Sequence, residues 1–201
     1  MGKNRLEAFS DGVLASLITI MVLELKVPHG DSFAALGALL PTFVSYALSF
    51  IYLAIYWNNH HHLLHAVKKV NGPILWANTH LLFWLSLVPF ATAWMGDNHF
   101  AARPVALYGG VLFMAGLAYY LLSQCLIHYH REGSLLGTAV GSDFKGKLSI
   151  AIYATAILLS FANRWAGFGL YWVVALMWLI PDRRIERVVN AEAPHAEGSH
   201  H

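Results

Sequence analysis

The chain has 201 residues; 57% are apolar and only 12% are Asp, Glu, Lys or Arg. That charged share is about half the usual value for a soluble domain, too small to clothe a globular surface, and so apolar a chain does not stay disordered. A dispersed formal net charge of +2 gives no sign of a nucleic-acid partner, and a lone cysteine, Cys125, excludes an intramolecular disulfide or a multi-cysteine metal site. An integral, all-α membrane protein is what remains.

A helix rises 1.5 Å per residue, so about 20 apolar residues cross the hydrocarbon core. The first predicted span covers residues 6–27 and stops at Pro28, and the second covers 36–57. The third, 74–95, lies between Gly72-Pro73 and Gly96-Asp97, and the fourth, 104–127, opens on Pro104, a good first-turn residue. Two short spans follow, 148–162 and 166–180, parted by Asn163-Arg164. The connection from His128 to Lys147 is the longest and is polar and glycine-rich. Residues 1–187 are expected to form a single six-helix transmembrane domain. Residues 188–201 form a tail whose closing Gly198-Ser199-His200-His201 reads as the start of an affinity tag.

Basic residues orient the spans. The N-terminus, the second-to-third and fourth-to-fifth connections and the C-terminus hold Lys3, Arg5, Lys68, Lys69, Arg131, Lys145, Lys147, Arg183, Arg184 and Arg187. The other connections hold only Lys26, Arg103 and Arg164. Both termini are therefore expected in the cytoplasm.

Polar groups inside a membrane are costly, and so mark candidate sites. The fifth and sixth spans carry almost none and read as lipid-facing scaffold. In the fourth, Gly109, Gly110 and Gly116 suit close helix packing, and Cys125 reads as a small buried hydrophobe. The chemistry gathers in the first three spans. At 100° per residue, Ser16, Thr19, Ile20 and Leu23 share one face of the first, with Phe9 on the same line, while Asp11 points about 140° away from Ser16. The second span ends on Trp57, Asn58, Asn59, His60, His61, His62 and His65, and the third contributes Asn78, Thr79 and His80. A short connection brings these to the depth of Asp11, predicting a network of Ser10 and Asp11 with His60 or His61 and Asn78.

Arg5-x-x-x-Phe9-Ser10-Asp11, Leu23-Glu24-Leu25, Trp57-x-Asn59-His60-His61, and Asn78 followed by Pro89-Phe90 together resemble the transmembrane protein 175 potassium channels of lysosomes and bacteria. The resemblance is densest over residues 5–95. It implies a homotetramer of six-span subunits around a pore lined by four copies of the first helix, with the Phe-Ser-Asp triplet as a structural node between the first three helices. It also implies side chains of that helix as the narrow point, in place of a Thr-Val-Gly-Tyr-Gly carbonyl filter, which this sequence lacks. The family's large aliphatic residue five positions after the motif Asp is Ser16 here. The tightest ring is then expected at Ile20 or Leu23, or else Ser16 and Thr19 form a hydroxyl ring that touches ions. Glu24 would stand at the outer mouth, as a charged ring or paired with Lys26 or headgroups. Potassium ions and the bacterial plasma membrane are the implied cargo and setting, with no cofactor.

Other readings compete. Ser16 and Thr19 could bond back to their own helix. His61 and His65, four apart, have metal-ligand spacing, but no Cys or carboxylate stands beside them in sequence, so neither a metal nor a catalytic site is expected. A coupled carrier would want ionisable groups at mid-membrane, whereas Asp11 and Glu24 lie towards opposite ends of the first span.

Overall fold

The computed structural model describes residues 3–65, 67, 69–129 and 144–179. Lys68, Arg131, Arg183, Arg184, Arg187, most of the long connection, and the tail lie outside them. Among the described residues the regular structure is entirely helical, in the order α1 (Lys3–Leu23), α2 (Phe33–Gly37), α3 (Leu40–His65), α4 (Gly72–Ser86), α5 (Val88–Asp97), α6 (Ala102–Tyr129), α7 (Phe144–Ala162) and α8 (Arg164–Leu179). By length and hydropathy α1, α3, the α4–α5 pair, α6 and α7 are each able to cross a membrane. The 16 residues of α8 span only about 24 Å.

Local chemistry sets the boundaries. Ser32 caps α2 by accepting from the Ala35 N–H at 3.2 Å. Residues 33–37 thereby form a separate short helix, and α3 begins only at Leu40, with Pro41 in its first turn, where no N–H is missed. The helix runs past the predicted boundary at Trp57 to His65, so Asn58 to His62 lie in its closing turns. Asn71 caps α4 by accepting from Ile74 N–H at 3.1 Å, with Pro73 following. The third span divides at Leu87, because Pro89 cannot donate to the preceding turn.

One continuous apolar core draws on α1, α3, α4, α5, α6, α7 and α8. Polar side chains knit it. Ser49 on α3 meets Thr92 on α5 at 2.6 Å and Tyr108 on α6 at 3.0 Å. The Tyr52 hydroxyl donates to the Tyr171 carbonyl at 2.7 Å, and the Tyr171 hydroxyl donates to the Val105 carbonyl at 3.1 Å. The last two spans are therefore not scaffold alone: Tyr153 and Tyr171 are buried and tie α7 and α8 to the rest. Such bonding lets tyrosines fill a core without an orphaned hydroxyl. Gly109 is where α6 admits Tyr171, since a Cβ there would overlap the tyrosine ring and hydroxyl. Gly116 has only ordinary contact distances around it and Gly110 has open space, so close packing rests on Gly109 alone of the three.

The bundle has two distinct ends. The start of α1, the finish of α3 and the start of α4 share one, where Lys3 Nζ donates to the His65 carbonyl at 3.3 Å and the Tyr119 hydroxyl of α6 donates to the Asn59 carbonyl at 3.2 Å. At the other end, His99 and Phe100 take left-handed φ of 48° and 56°. The turn is fastened by the Phe100 ring, buried 4.5 Å from Phe168 at the start of α8.

Candidate functional site: the outward face of α1 and the node behind it

The two faces of α1 differ sharply. Leu6, Ser10, Leu14, Leu17 and Met21 pack into the bundle. About 120° around the helix, Phe9, Gly12, Ser16, Thr19, Ile20 and Leu23 face away from it. Leu23 is 77% exposed and Ile20 47%, whereas Leu14 keeps 2%. The four residues predicted to share a face thus do so, and that face is unoccupied by the chain's own helices. Both hydroxyls on it bond back along α1: Ser16 Oγ donates to the Gly12 carbonyl at 2.8 Å and Thr19 Oγ1 to the Ala15 carbonyl at 3.0 Å. Back-bonding and an outward position therefore coexist. The hydroxyl hydrogen is held by the helix, and the oxygen lone pairs remain as acceptors. Glu24 follows α1 at the far end and is exposed, beside a small cleft shared with Thr42, Tyr46 and Thr92.

Behind that face is a buried chain of hydrogen bonds. Ser10 Oγ donates to the Leu6 carbonyl at 2.9 Å, so its oxygen is free to accept from Asn78 Nδ2 at 3.0 Å. This fixes the orientation of the amide and leaves Asn78 Oδ1 to accept from His60 Nε2 at 2.6 Å. His60 must then carry its proton on Nε2, and its Nδ1 has no partner among the described residues. Ser10, Asn78 and His60 join α1, α4 and α3 at one point, and all are essentially inaccessible.

Asp11 is not part of this chain. It accepts from the Trp57 indole N–H at 3.0 Å, at the edge of the bundle. His61 pairs with Glu7, at 3.4 Å. The triplet is therefore split three ways: Phe9 is 59% exposed on the outward face, Ser10 is buried in the node, and Asp11 is clasped sideways. Phe9 thus does not join the node that the resemblance implied for it; one turn of a helix cannot point three consecutive residues the same way. Arg5 is exposed at the start of α1. Glu7 was missed from the sequence, although its spacing of four from Asp11 matches that of Trp57 and His61. His61 and His65 stack edge to face at 5.8 Å. Among the described residues no group of three or more His, Cys, Asp or Glu is placed to hold a metal ion.

Comparison with known proteins identifies the family. Residues 5–89 match the family described as the endosomal/lysosomal potassium channel TMEM175. A protein of Chryseobacterium sp. (strain P1-3) named as a potassium channel is 58% identical over 187 residues, covering 93% of this chain and 97% of its own. The human protein named as the endosomal/lysosomal proton channel TMEM175 is 29% identical over 81% of this chain, which spans 36% of the human length. The crystal structure of a lysosomal potassium-selective channel TMEM175 homolog from Chamaesiphon minutus superposes with a TM-score of 0.78 at 26% identity, over 89% of this chain and 96% of that one. A relative this similar over nearly the whole of both sequences shows that the chain belongs to the TMEM175 family.

Proposed function

We propose that the chain is the subunit of a homotetrameric, potassium-permeable channel in which four outward faces of α1 enclose the ion path. The observation that carries this reading is the segregation on α1: one face is packed into the subunit, and the other sets Ser16, Thr19, Ile20 and Leu23 in line and unoccupied. A membrane helix facing only lipid gains nothing from two hydroxyls on its outer face. A helix facing a pore does.

In this reading each part of the stripe has its own task. Thr19 and Ser16 oxygens, their hydrogens engaged by α1, present lone pairs that replace part of a cation's hydration shell. Rings of Ile20 and Leu23 exclude water when drawn together, and a small widening admits it. Because Ser16 is small, the constriction falls at Ile20 or Leu23. The Ser10–Asn78–His60 node fixes the rotation of α1, so the stripe keeps its direction. Glu24 sits at the outer mouth. The distribution of basic residues and the kinship support six crossings, cytoplasmic termini and a place in the bacterial plasma membrane.

The test is potassium-gradient-driven flux into liposomes holding the purified protein, with sodium and empty vesicles as controls. Uncoupled potassium flux faster than sodium flux supports the channel. Flux strictly coupled to a second ion supports a carrier. Animal relatives are named as proton channels, so proton flux in the same vesicles distinguishes that second permeant ion.

A further inference from the structure

At the end of the bundle where α1 begins, two residues one turn apart on α1 meet two residues one turn apart on α3. Asp11 accepts from Trp57 at 3.0 Å, and Glu7 Oε1 lies 3.4 Å from His61 Nδ1. Trp57 and His61 stack on each other, 6.2 Å apart with planes inclined by 25°. The four side chains close a ring across the α1–α3 seam. Its two rungs differ chemically. The indole donor is neutral, so the Asp11 rung persists wherever the carboxylate is charged. The Glu7 rung is too long to be a good hydrogen bond and attracts strongly only when the imidazole carries a proton. The His61 side chain is 42% exposed, so water reaches it.

We propose that Glu7 and His61 form a proton-dependent clasp between α1 and α3, so that acidification at this end of the bundle holds the outward face of α1 in the register described above. The gating consequence rests on the pore reading of α1; the clasp itself does not. The groups facing it are few. On α3, the His62 and His65 rings stand 5.8 Å from His61. On α1, Asp11 and Glu7 supply negative charge, and Lys3 is engaged by the His65 carbonyl. Behind it on α3, buried His60 is held by the neutral Asn78 of α4. Asp97 of α5 and Arg164 of α8 lie at the far end, while Arg5 and Lys69 are exposed at the near one.

The experiment is a double-substitution cycle, Glu7→Gln and His61→Gln, on the full chain in detergent, melted at about pH 5.5 and about pH 8. An imidazole is charged at the first and neutral at the second, while a carboxylate is charged at both. The two substitutions should be coupled at the acidic pH, the double variant losing less than the sum of the single losses, and additive at the alkaline one, where His61→Gln loses only its stack on Trp57. Equal coupling at both pH values, or none at either, overturns the clasp. In liposomes, flux of the unsubstituted protein should change by about two- to fivefold between these pH values, the scale of an exposed ion pair, and each single variant should lose that dependence. Coupling in the melts with flux indifferent to pH overturns the link to gating. Absence of flux from every protein, persisting when Leu23→Ala is added to widen the apolar ring, refutes the pore reading, and the melts still decide the clasp.

Discussion

Asn78→Ala cuts the buried chain in the middle. The substitution frees Ser10 Oγ from an acceptor role it can do without, because that hydroxyl still donates to Leu6. The damage falls on His60. Its Nε2 loses the 2.6 Å bond, and its Nδ1 already has no partner among the described residues. A fully buried imidazole is then left with no hydrogen bond. An unsatisfied buried polar group costs about 1–3 kcal/mol. Interhelical bonds in membrane proteins average about 0.6 kcal/mol and reach about 1.7 kcal/mol, so two lost bonds give a similar figure. For a chain of this length that corresponds to a fall of about 3–10 °C in melting temperature in detergent. The decisive assay adds His60→Ala. With both polar groups gone nothing remains unsatisfied, so the double variant should be clearly more stable than the sum of the single effects predicts. Melting of Asn78→Ala within about 1 °C of the unsubstituted protein, or strict additivity in the double variant, would refute this account of the node.

Further substitutions separate the parts of the molecule. Gly109→Ala should destabilise by about 1–3 kcal/mol, because the new Cβ overlaps Tyr171 and nears Ile157; Gly110→Ala, with open space around it, should melt unchanged. Asp11→Ala removes the Trp57 acceptor and should weaken folding and assembly while leaving the potassium-to-sodium flux ratio as it was; a tetramer that persists with lost selectivity would instead put Asp11 in the ion path. Ile20→Ala and Leu23→Ala should raise flux by widening an apolar ring, and silence in both would count against a gate at either position. Thr19→Val keeps the shape and removes the acceptor oxygen; it should lower the potassium-to-sodium ratio of the fluxes if that oxygen contacts ions.

Much of this was legible in the sequence, and what was not has physical reasons. The face shared by Ser16, Thr19, Ile20 and Leu23 follows from helical period alone, because α1 is unbroken over those residues. The union of Ser10, Asn78 and His60 also followed, since buried polar groups must find one another and a short connection set their depth. Asp11 was harder: periodicity aimed it away from the stripe but could not say that Trp57, whose indole N–H needs an acceptor, would take it in preference to a histidine. The histidine run read as the end of a span, because hydropathy falls there, while backbone hydrogen bonding carries α3 on to His65. The separate helix at 33–37 depends on one cap from Ser32, a signal too local to shift a boundary drawn by hydropathy. The buried roles of Tyr153 and Tyr171 were missed because tyrosine counts as apolar in a span, and only the fold reveals which hydroxyls find carbonyls.

The central claim is that the outward face of α1 lines the ion path. It is tested most directly by placing a cysteine at Thr19 in a Cys125→Ala background and measuring potassium-driven flux before and after a bulky, cationic, membrane-impermeant thiol reagent. Leu17→Cys, on the packed face, serves as the control. The reagent should abolish most of the flux through Thr19→Cys and leave Leu17→Cys unchanged. Full labelling at Thr19 with undiminished flux would contradict it.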